Sequence, residues 1–191
     1  MTHRLYRHLS QFVTCSEADF REILSYFQVR RPDKKEVLME AGRRCDHHYF
    51  VLEGCLHMFY VSDKGAEKTV KLALEDWWLT DYLAFHHRKP TEFYIQAVEP
   101  SRVLCIDYER QEQLLADFPA LETYFRKVYE IAYGATIMRI KYLYDYSKEE
   151  MFLNFIDQFP DFAQRVPQYL LASYLGLTPE YLSEIRRKKR S

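Results

Sequence analysis

Up to about Gln28, apolar residues recur at three- and four-residue spacing: Phe12, Cys15, Phe20, Ile23, Leu24 and Phe27. That is the period of an amphipathic helix, and Ser16 ahead of Glu17 and Asp19 marks a helix start. Arg30-Arg31-Pro32-Asp33 ends the pattern. From there to Asp107 the chain reads as short β-branched and aromatic runs separated by turn residues. Strands are predicted over 37–40, 49–53, 56–61, 67–74, 92–98 and 102–106. Their separators are Ala41-Gly42, Glu53-Gly54, Ser62-Asp63-Lys64-Gly65 and Glu99-Pro100-Ser101. Gly65 suits the positive-φ position of a hairpin joining 56–61 to 67–74. Six strands at this spacing predict an antiparallel barrel or jelly roll.

Beyond Asp107 the period changes back to that of helices. One is expected over 108–118, ended by Pro119, and a long one over 119–146. On the long one Tyr124, Val128, Ile131, Ala135, Met138 and Tyr142 are spaced 4, 3, 4, 3 and 4 apart. That is a heptad-like seam wide enough for a partner helix, with small Ala135 permitting close approach. The same seam would also serve to pack the helix on the chain's own barrel. A helix over 148–159, closed by Pro160-Asp161, precedes a final pair: 168–175, a turn of Gly176-Leu177-Thr178, and a last helix from Pro179.

That pair has the parts of a helix-turn-helix, in which the second helix enters the DNA major groove. Leu171, Ala172 and Leu175 give the first helix an inner face. Gly176 supplies a left-handed corner plugged by Leu177, while Leu182 and Ile185 hold the second helix to the core. Thr178 can cap the second helix, and Pro179 sits where its missing N–H costs nothing. Five cations follow, Arg186-Arg187-Lys188-Lys189-Arg190. Residues 161–191 carry +3, whereas the rest of the chain carries −4. Local positive charge is what phosphate binding requires. Taken singly, a Gly-containing helical pair is common outside DNA-binding proteins and a basic run is often a solvated tail; the combination carries the reading.

Composition narrows the classes. Of 191 residues, 48% are hydrophobic and 16% aromatic, enough to bury a core and exclude wholesale disorder. With 27 Lys+Arg against 28 Asp+Glu the chain is no polycation, so any nucleic-acid surface is local. Met1 to His8 lacks the apolar core of a signal peptide, and apolar stretches such as 49–52 fall far short of the ~20 residues of a membrane span. A cytoplasmic protein with no membrane association is expected. Cys15, Cys45, Cys55 and Cys105 are too dispersed for a CxxC knuckle or an iron–sulfur cluster, and read as ordinary thiols. No histidine stands out as a haem ligand.

A helix, a small barrel, a long helix and a helix-turn-helix, in that order, resemble the CRP/FNR family of bacterial transcription regulators. The run Gln168-Tyr169-Leu170-Leu171-Ala172-Ser173-Tyr174-Leu175-Gly176-Leu177-Thr178-Pro179-Glu180-Tyr181-Leu182-Ser183 is similar to that family's DNA-binding pair, and Glu53-Gly54 to its Gly after an early barrel strand. The resemblance covers essentially the whole chain. It implies an α+β fold with an effector domain like a cyclic nucleotide-binding domain (1–118), a dimerisation helix (119–146) and a helix-turn-helix domain with the family's wing absent (147–191). It further implies a homodimer reading a palindromic double-stranded operator. Thr178, Pro179, Glu180, Ser183 and Glu184 fall at the DNA-facing positions, and Glu180 matches a residue that accepts from a base edge, as Glu does from cytosine N4. Better-known members carry Arg at the position of Glu184, so Arg186 or Arg187 must supply more of the attraction.

Cyclic-nucleotide members hold their ligand with Gly-Glu and a later Arg-Ser/Thr-Ala segment. Here Trp77 and Trp78 stand near the first and Thr91 replaces the Arg, with Glu92 following. A phosphate buried beside a carboxylate without a guanidinium leaves desolvation uncompensated, at about several kcal/mol. Cyclic AMP is therefore not expected as effector. Trp77, Trp78, Thr80, Thr91, Glu92 and Tyr94 are the candidate lining of a pocket that either takes an apolar or cationic ligand over its aromatic faces or is filled by its own side chains. His47-His48 and Glu53 after Gly42 faintly echo a cupin metal motif, yet adjacent strand residues point to opposite faces; His86-His87 has the same defect unless it lies in a loop. With no nucleophile motif and no phosphate loop, the chain is read as a non-enzymatic regulator without a cofactor. The alternative is a barrel sensor or interaction protein whose degenerate helix-turn-helix does not read DNA.

Overall fold

The computed structural model describes residues 4–190. Met1-Thr2-His3 of the amino-terminal stretch, Ser191, and the side chains of Lys189 and Arg190 at the end of the cationic run lie outside the described residues. Two helices lead: α1 (Arg4–Leu9) and α2 (Glu17–Ser25). Ser16 starts α2 as its sequence position foretells: its Oγ accepts from the Asp19 N–H at 3.1 Å, and Asp19 closes a reciprocal capping box. Eight strands follow: β1 (Gln28–Arg30), β2 (Val37–Met39), β3 (His47–Glu53), β4 (Leu56–Val61), β5 (Glu67–Ala73), β6 (Trp78–Leu79), then, after helix α3 (Tyr82–His87), β7 (Tyr94–Ala97) and β8 (Arg102–Asp107).

The strands form two four-stranded antiparallel sheets, ordered β1-β8-β3-β6 and β2-β7-β4-β5. All six expected strands are present. The turn between β4 and β5 has Gly65 at φ 73°, its N–H donating to the Ser62 carbonyl at 2.8 Å. β1, β6 and α3 go beyond the sequence reading. β1 and β6 are three and two residues long, too short for an alternation to show. α3 is started by Asp81, whose carboxylate accepts from the Ala84 N–H at 3.1 Å, so His86 and His87 are exposed helix residues rather than loop.

Between the sheets Met39, Tyr49, Val51, Leu56, Leu79, Ile95, Ala97 and Val103 interdigitate in one buried cluster. The other face of β3 sends His48, Phe50 and Leu52 toward the helices, where Leu5, Trp78, Leu104, Leu121, Tyr124 and Phe125 complete a second. Helices α4 (Tyr108–Asp117) and α5 (Ala120–Asp145) cover it. The carboxyl-terminal helices are α6 (Lys148–Gln158), α7 (Pro160–Arg165), α8 (Gln168–Leu175) and α9 (Pro179–Arg190). Pro160, read as a terminator, instead opens α7: proline's fixed φ serves the first turn of a helix as readily as it stops the preceding one.

These helices do not stand apart from the barrel. Cys55, Leu72 and Val98 of the barrel share a third buried cluster with Phe152, Phe162, Leu171, Leu175 and Leu182. Arg165 of α7 reaches Glu75 at 2.5 Å and Glu99 at 2.6 Å, on two barrel turns. Arg139 of α5 donates to the Val70 carbonyl on β5 and, at 2.7 Å, to the Tyr174 carbonyl on α8.

Candidate nucleic-acid interface and barrel site

The corner between α8 and α9 is built as its residues require. Gly176 ends α8 at φ 70°, in the left-handed region, and the Leu177 N–H returns to the Ala172 carbonyl at 2.8 Å. Thr178 Oγ1 accepts from the Tyr181 N–H at 3.2 Å and so caps α9. Leu171, Ala172, Leu175, Leu177, Leu182 and Ile185 are all buried, against Met151 and Phe152 of α6.

The other side of α9 carries Thr178, Pro179, Glu180, Ser183, Glu184 and Arg187, all exposed. Positions 180, 183, 184 and 187 lie three, four and seven residues apart and share one helical face. Glu184 pairs with Lys188 at 3.2 Å, and the Ser183 hydroxyl donates to the Pro179 carbonyl at 2.9 Å. Arg186 departs from the expected set: it is half-buried, its guanidinium 5.8 Å from the centre of the Phe152 ring. Next to Ile185, it packs at the edge of the core instead of on the outer face.

The heptad-like seam of α5 divides in two. Tyr124 is fully buried, accepting from Trp78 Nε1–H at 2.7 Å and lying 2.7 Å from His8 Nδ1, and Val128 is buried beside it. These two positions serve the chain's own barrel, as the alternative reading of the seam anticipates. Further along, Ile131 is 59% exposed, Met138 is 44% exposed, and Ala135 between them is exposed. Tyr133, Ile137, Ile140 and Tyr144, also exposed, form a second stripe on the opposite side of the helix. An exposed apolar stripe such as Ile131, Ala135 and Met138 is what a second helix covers.

The six residues assigned to a barrel pocket are not brought together. Trp77 is exposed, with its ring 6.1 Å from Phe162 of α7, whereas adjacent Trp78 is buried in the helix-covered cluster. Thr80 is buried, donating to the His47 carbonyl at 2.8 Å. Thr91 is buried too, donating to the Asp81 carboxylate at 2.7 Å. Glu92 is exposed, and Tyr94 stacks on Phe59 at 5.1 Å. Only Trp78 and Tyr94 of the six lie in strands; Trp77, Thr80, Thr91 and Glu92 sit in the connections between elements. His47 and His48 likewise point to opposite faces of β3: His48 is fully buried, with Nδ1 3.2 Å from Gln111 Oε1. Burial pushes its pKa down to about 3, so it is a neutral imidazole.

A different constellation forms beside α5. Lys71 of β5, Tyr82 and Phe85 of α3, Tyr108 and Gln111 of α4, and Tyr129 of α5 border a cavity of about 930 Å³. No sequence pattern marks this set, because its members come from four elements that only the tertiary fold unites.

Residues 29–118 match the family pattern of the cyclic nucleotide-binding domain. No curated protein matches the chain in sequence. Among solved structures, a CooA mutant from Carboxydothermus hydrogenoformans is 20% identical with a TM-score of 0.69, over 88% of this chain and 78% of that one. The c-di-GMP-responsive global regulator CLP of Xanthomonas campestris is 15% identical with a TM-score of 0.70, over 92% of each chain. A transcriptional regulator of the CRP/FNR family from Eubacterium rectale, described as putative, is 14% identical with a TM-score of 0.69, over 92% of this chain and 84% of that one. At these identities the likeness establishes the fold: a cyclic nucleotide-binding jelly roll followed by carboxyl-terminal helices arranged as in CRP/FNR regulators. No helix among the described residues is long and apolar enough to cross a membrane.

Proposed function

We propose that this chain, with the fold of the CRP/FNR transcription regulators, is itself a homodimeric DNA-binding regulator and not an enzyme. The observation that carries the reading is α9, a capped helix held by a buried inner face after a left-handed glycine corner, with Thr178, Pro179, Glu180, Ser183, Glu184 and Arg187 on its outer face. Arg187 is the phosphate or base contact we assign to that face; Arg186 positions the helix against Phe152. The exposed part of the seam, Ile131, Ala135 and Met138, pairs two copies, which sets the spacing of two recognition helices on a palindromic duplex.

Cyclic AMP is not its effector in this reading. A cyclic phosphate in such a barrel needs a guanidinium, and Thr91 stands in its place, bonded to Asp81. That carboxylate already caps the N-terminus of α3, so a phosphate arriving there meets a like charge. Buried side chains of the chain itself pack between the sheets, which supports the second of the two pocket readings.

One observation favours the alternative, a barrel sensor or interaction protein that does not read DNA. Two of the outward side chains of α9 are carboxylates, Glu180 and Glu184, and only the second is paired with a cation among the described residues. The test is duplex binding by the full chain, selected from a palindromic library and followed against salt. Binding should weaken linearly on a log–log plot, and Arg187→Ala should reduce the slope by about 0.9 per protomer. A chain that binds no duplex even at about 20 mM salt, where phosphate attraction is least screened, rejects the proposal in favour of the alternative.

A further inference from the structure

The cavity beside α5 holds a cation without a counter-ion. Lys71 is not exposed, and its Nζ lies 4.8 Å from the centre of the Tyr82 ring. Among the described residues no carboxylate is paired with it. Burial lowers its pKa to about 8, which still leaves it largely protonated at neutral pH. Tyr82 packs edge-on against Tyr129 at 5.2 Å and against His48 at 5.4 Å. Its hydroxyl is buried with no hydrogen-bond partner, as is His48 Nε2. Buried polar groups are nearly always satisfied, so a hydroxyl without a partner, next to a cation with no carboxylate paired to it and to a cavity, points to a missing acceptor.

We propose that this cavity binds a small organic monoanion with a ring-bearing apolar body, its carboxylate accepting from Lys71 and Tyr82. The body lies among the rings of Tyr82, Phe85, Tyr129 and Tyr133, which all line the cavity. A volume of about 930 Å³ is at the upper end of the ~300–1,000 Å³ usual for small-molecule sites. The rim selects against higher charge. Glu112, Glu122 and Glu130 stand at the opening, with Arg126 bonded to Glu130 at 2.6 Å. A single negative charge is drawn in by Lys71, while a dianion leaves one charge uncompensated among these carboxylates. The site is separate from the six barrel residues discussed above and does not depend on DNA binding, because ligand binding is measured on the protein alone.

The experiment is titration calorimetry of the full chain with indole-3-acetate and benzoate as probes, indole-3-acetamide as the uncharged control and phthalate as the dianion. At least one monoanion binds, and its amide or dianion counterpart binds about tenfold more weakly or worse, as a charge-assisted bond at a desolvated site requires. Lys71→Met, close in volume, lowers monoanion affinity by about tenfold or more, and Tyr82→Phe by about fivefold, the loss of a single hydrogen bond. Lys71→Arg retains binding, which separates loss of charge from loss of fold. Equal affinity for acid and amide, or unaltered binding in Lys71→Met, overturns the proposal. So does silence with both monoanions at millimolar concentration, which would assign Lys71 to a carboxylate of a second chain.

Discussion

Acidification should weaken this fold, with His48 the largest single contributor among its histidines. Its ring is fully buried, with Trp78 at 4.3 Å and Phe85 and Phe125 within 6 Å, and Nε2 has no partner. A proton on that ring would be a desolvated charge near Lys71, which further disfavours it. The folded-state pKa of about 3 lies well below the 6.5 of a solvated imidazole. The native state therefore stays neutral while the unfolded chain takes up a proton, and stability falls as pH drops below about 6.5. The contribution is complete above that pH, and the loss is complete only near the folded-state pKa. Linkage gives a loss of about 2 kcal/mol between about pH 7.5 and pH 5, out of a limiting value near 5 kcal/mol.

The assay is urea unfolding at fixed protein concentration, at both pH values, on the native chain and on His48→Phe. The phenyl ring keeps the aromatic packing and removes the titrating nitrogen. His8, His47 and His57 also have pKa values lowered by burial, but they are present in both proteins and cancel in the difference. The native chain should lose about 2 kcal/mol more than His48→Phe on going to the lower pH. A difference under about 0.5 kcal/mol refutes the reasoning, because it would mean that the native ring accepts a proton as easily as the unfolded one.

Two glycines should respond differently to the same substitution. A Cβ on Gly65 (φ 73°) meets nothing within 4 Å, so Gly65→Ala should cost about 1 kcal/mol of backbone strain, read as a shift in urea midpoint. On Gly54 (φ 101°) the Cβ would lie 2.1 Å from Ser101 Oγ, which also accepts from the Cys55 N–H, so Gly54→Ala should cost about 3 kcal/mol or more. On α5, Ile131→Glu with Met138→Glu should turn a dimer into a monomer by light scattering without lowering helicity by circular dichroism, because both side chains are exposed in the single chain. A dimer that persists in that variant places the interface elsewhere.

Much of this architecture is legible because it is local. Ser16 and its acidic third neighbour, the Gly65 hairpin and the Gly176 corner each follow from the conformational preference of a few adjacent residues. What eludes the sequence is of two kinds. Pro160 carries a signal with two meanings, stop and start, and the neighbours do not decide between them. The seam of α5 is equally ambiguous: Tyr124 and Ile131 obey one spacing, but the first faces Trp78 and the second faces outward. The second kind is tertiary. Lys71 sits in a strand whose pattern gives no sign that Tyr82, eleven residues on, will lay its ring against the ammonium. The spread of the six barrel candidates has the same origin, because four of them lie in connections whose paths only the tertiary fold sets.

Strand β5 shows how these local pieces become one structure. It is the edge of its sheet, and an uncovered edge leaves backbone groups open to pairing with other chains. Here the edge is covered from α8: the Thr69 N–H donates to Ser173 Oγ at 2.9 Å, and that hydroxyl donates to the Glu67 carbonyl at 3.3 Å. The next carbonyl acceptor described on the strand, at Val70, takes the guanidinium of Arg139, which also stacks over the Tyr174 ring at 4.1 Å. Thus α5 and the first helix of the helix-turn-helix are both hydrogen-bonded to one strand, and Lys71, the residue after Val70, turns toward the cavity beside α5. Removing α8 from the barrel would strip β5 of those partners and expose Leu72, which is why the covered edge and the placement of the carboxyl-terminal helices are one energetic feature and not two.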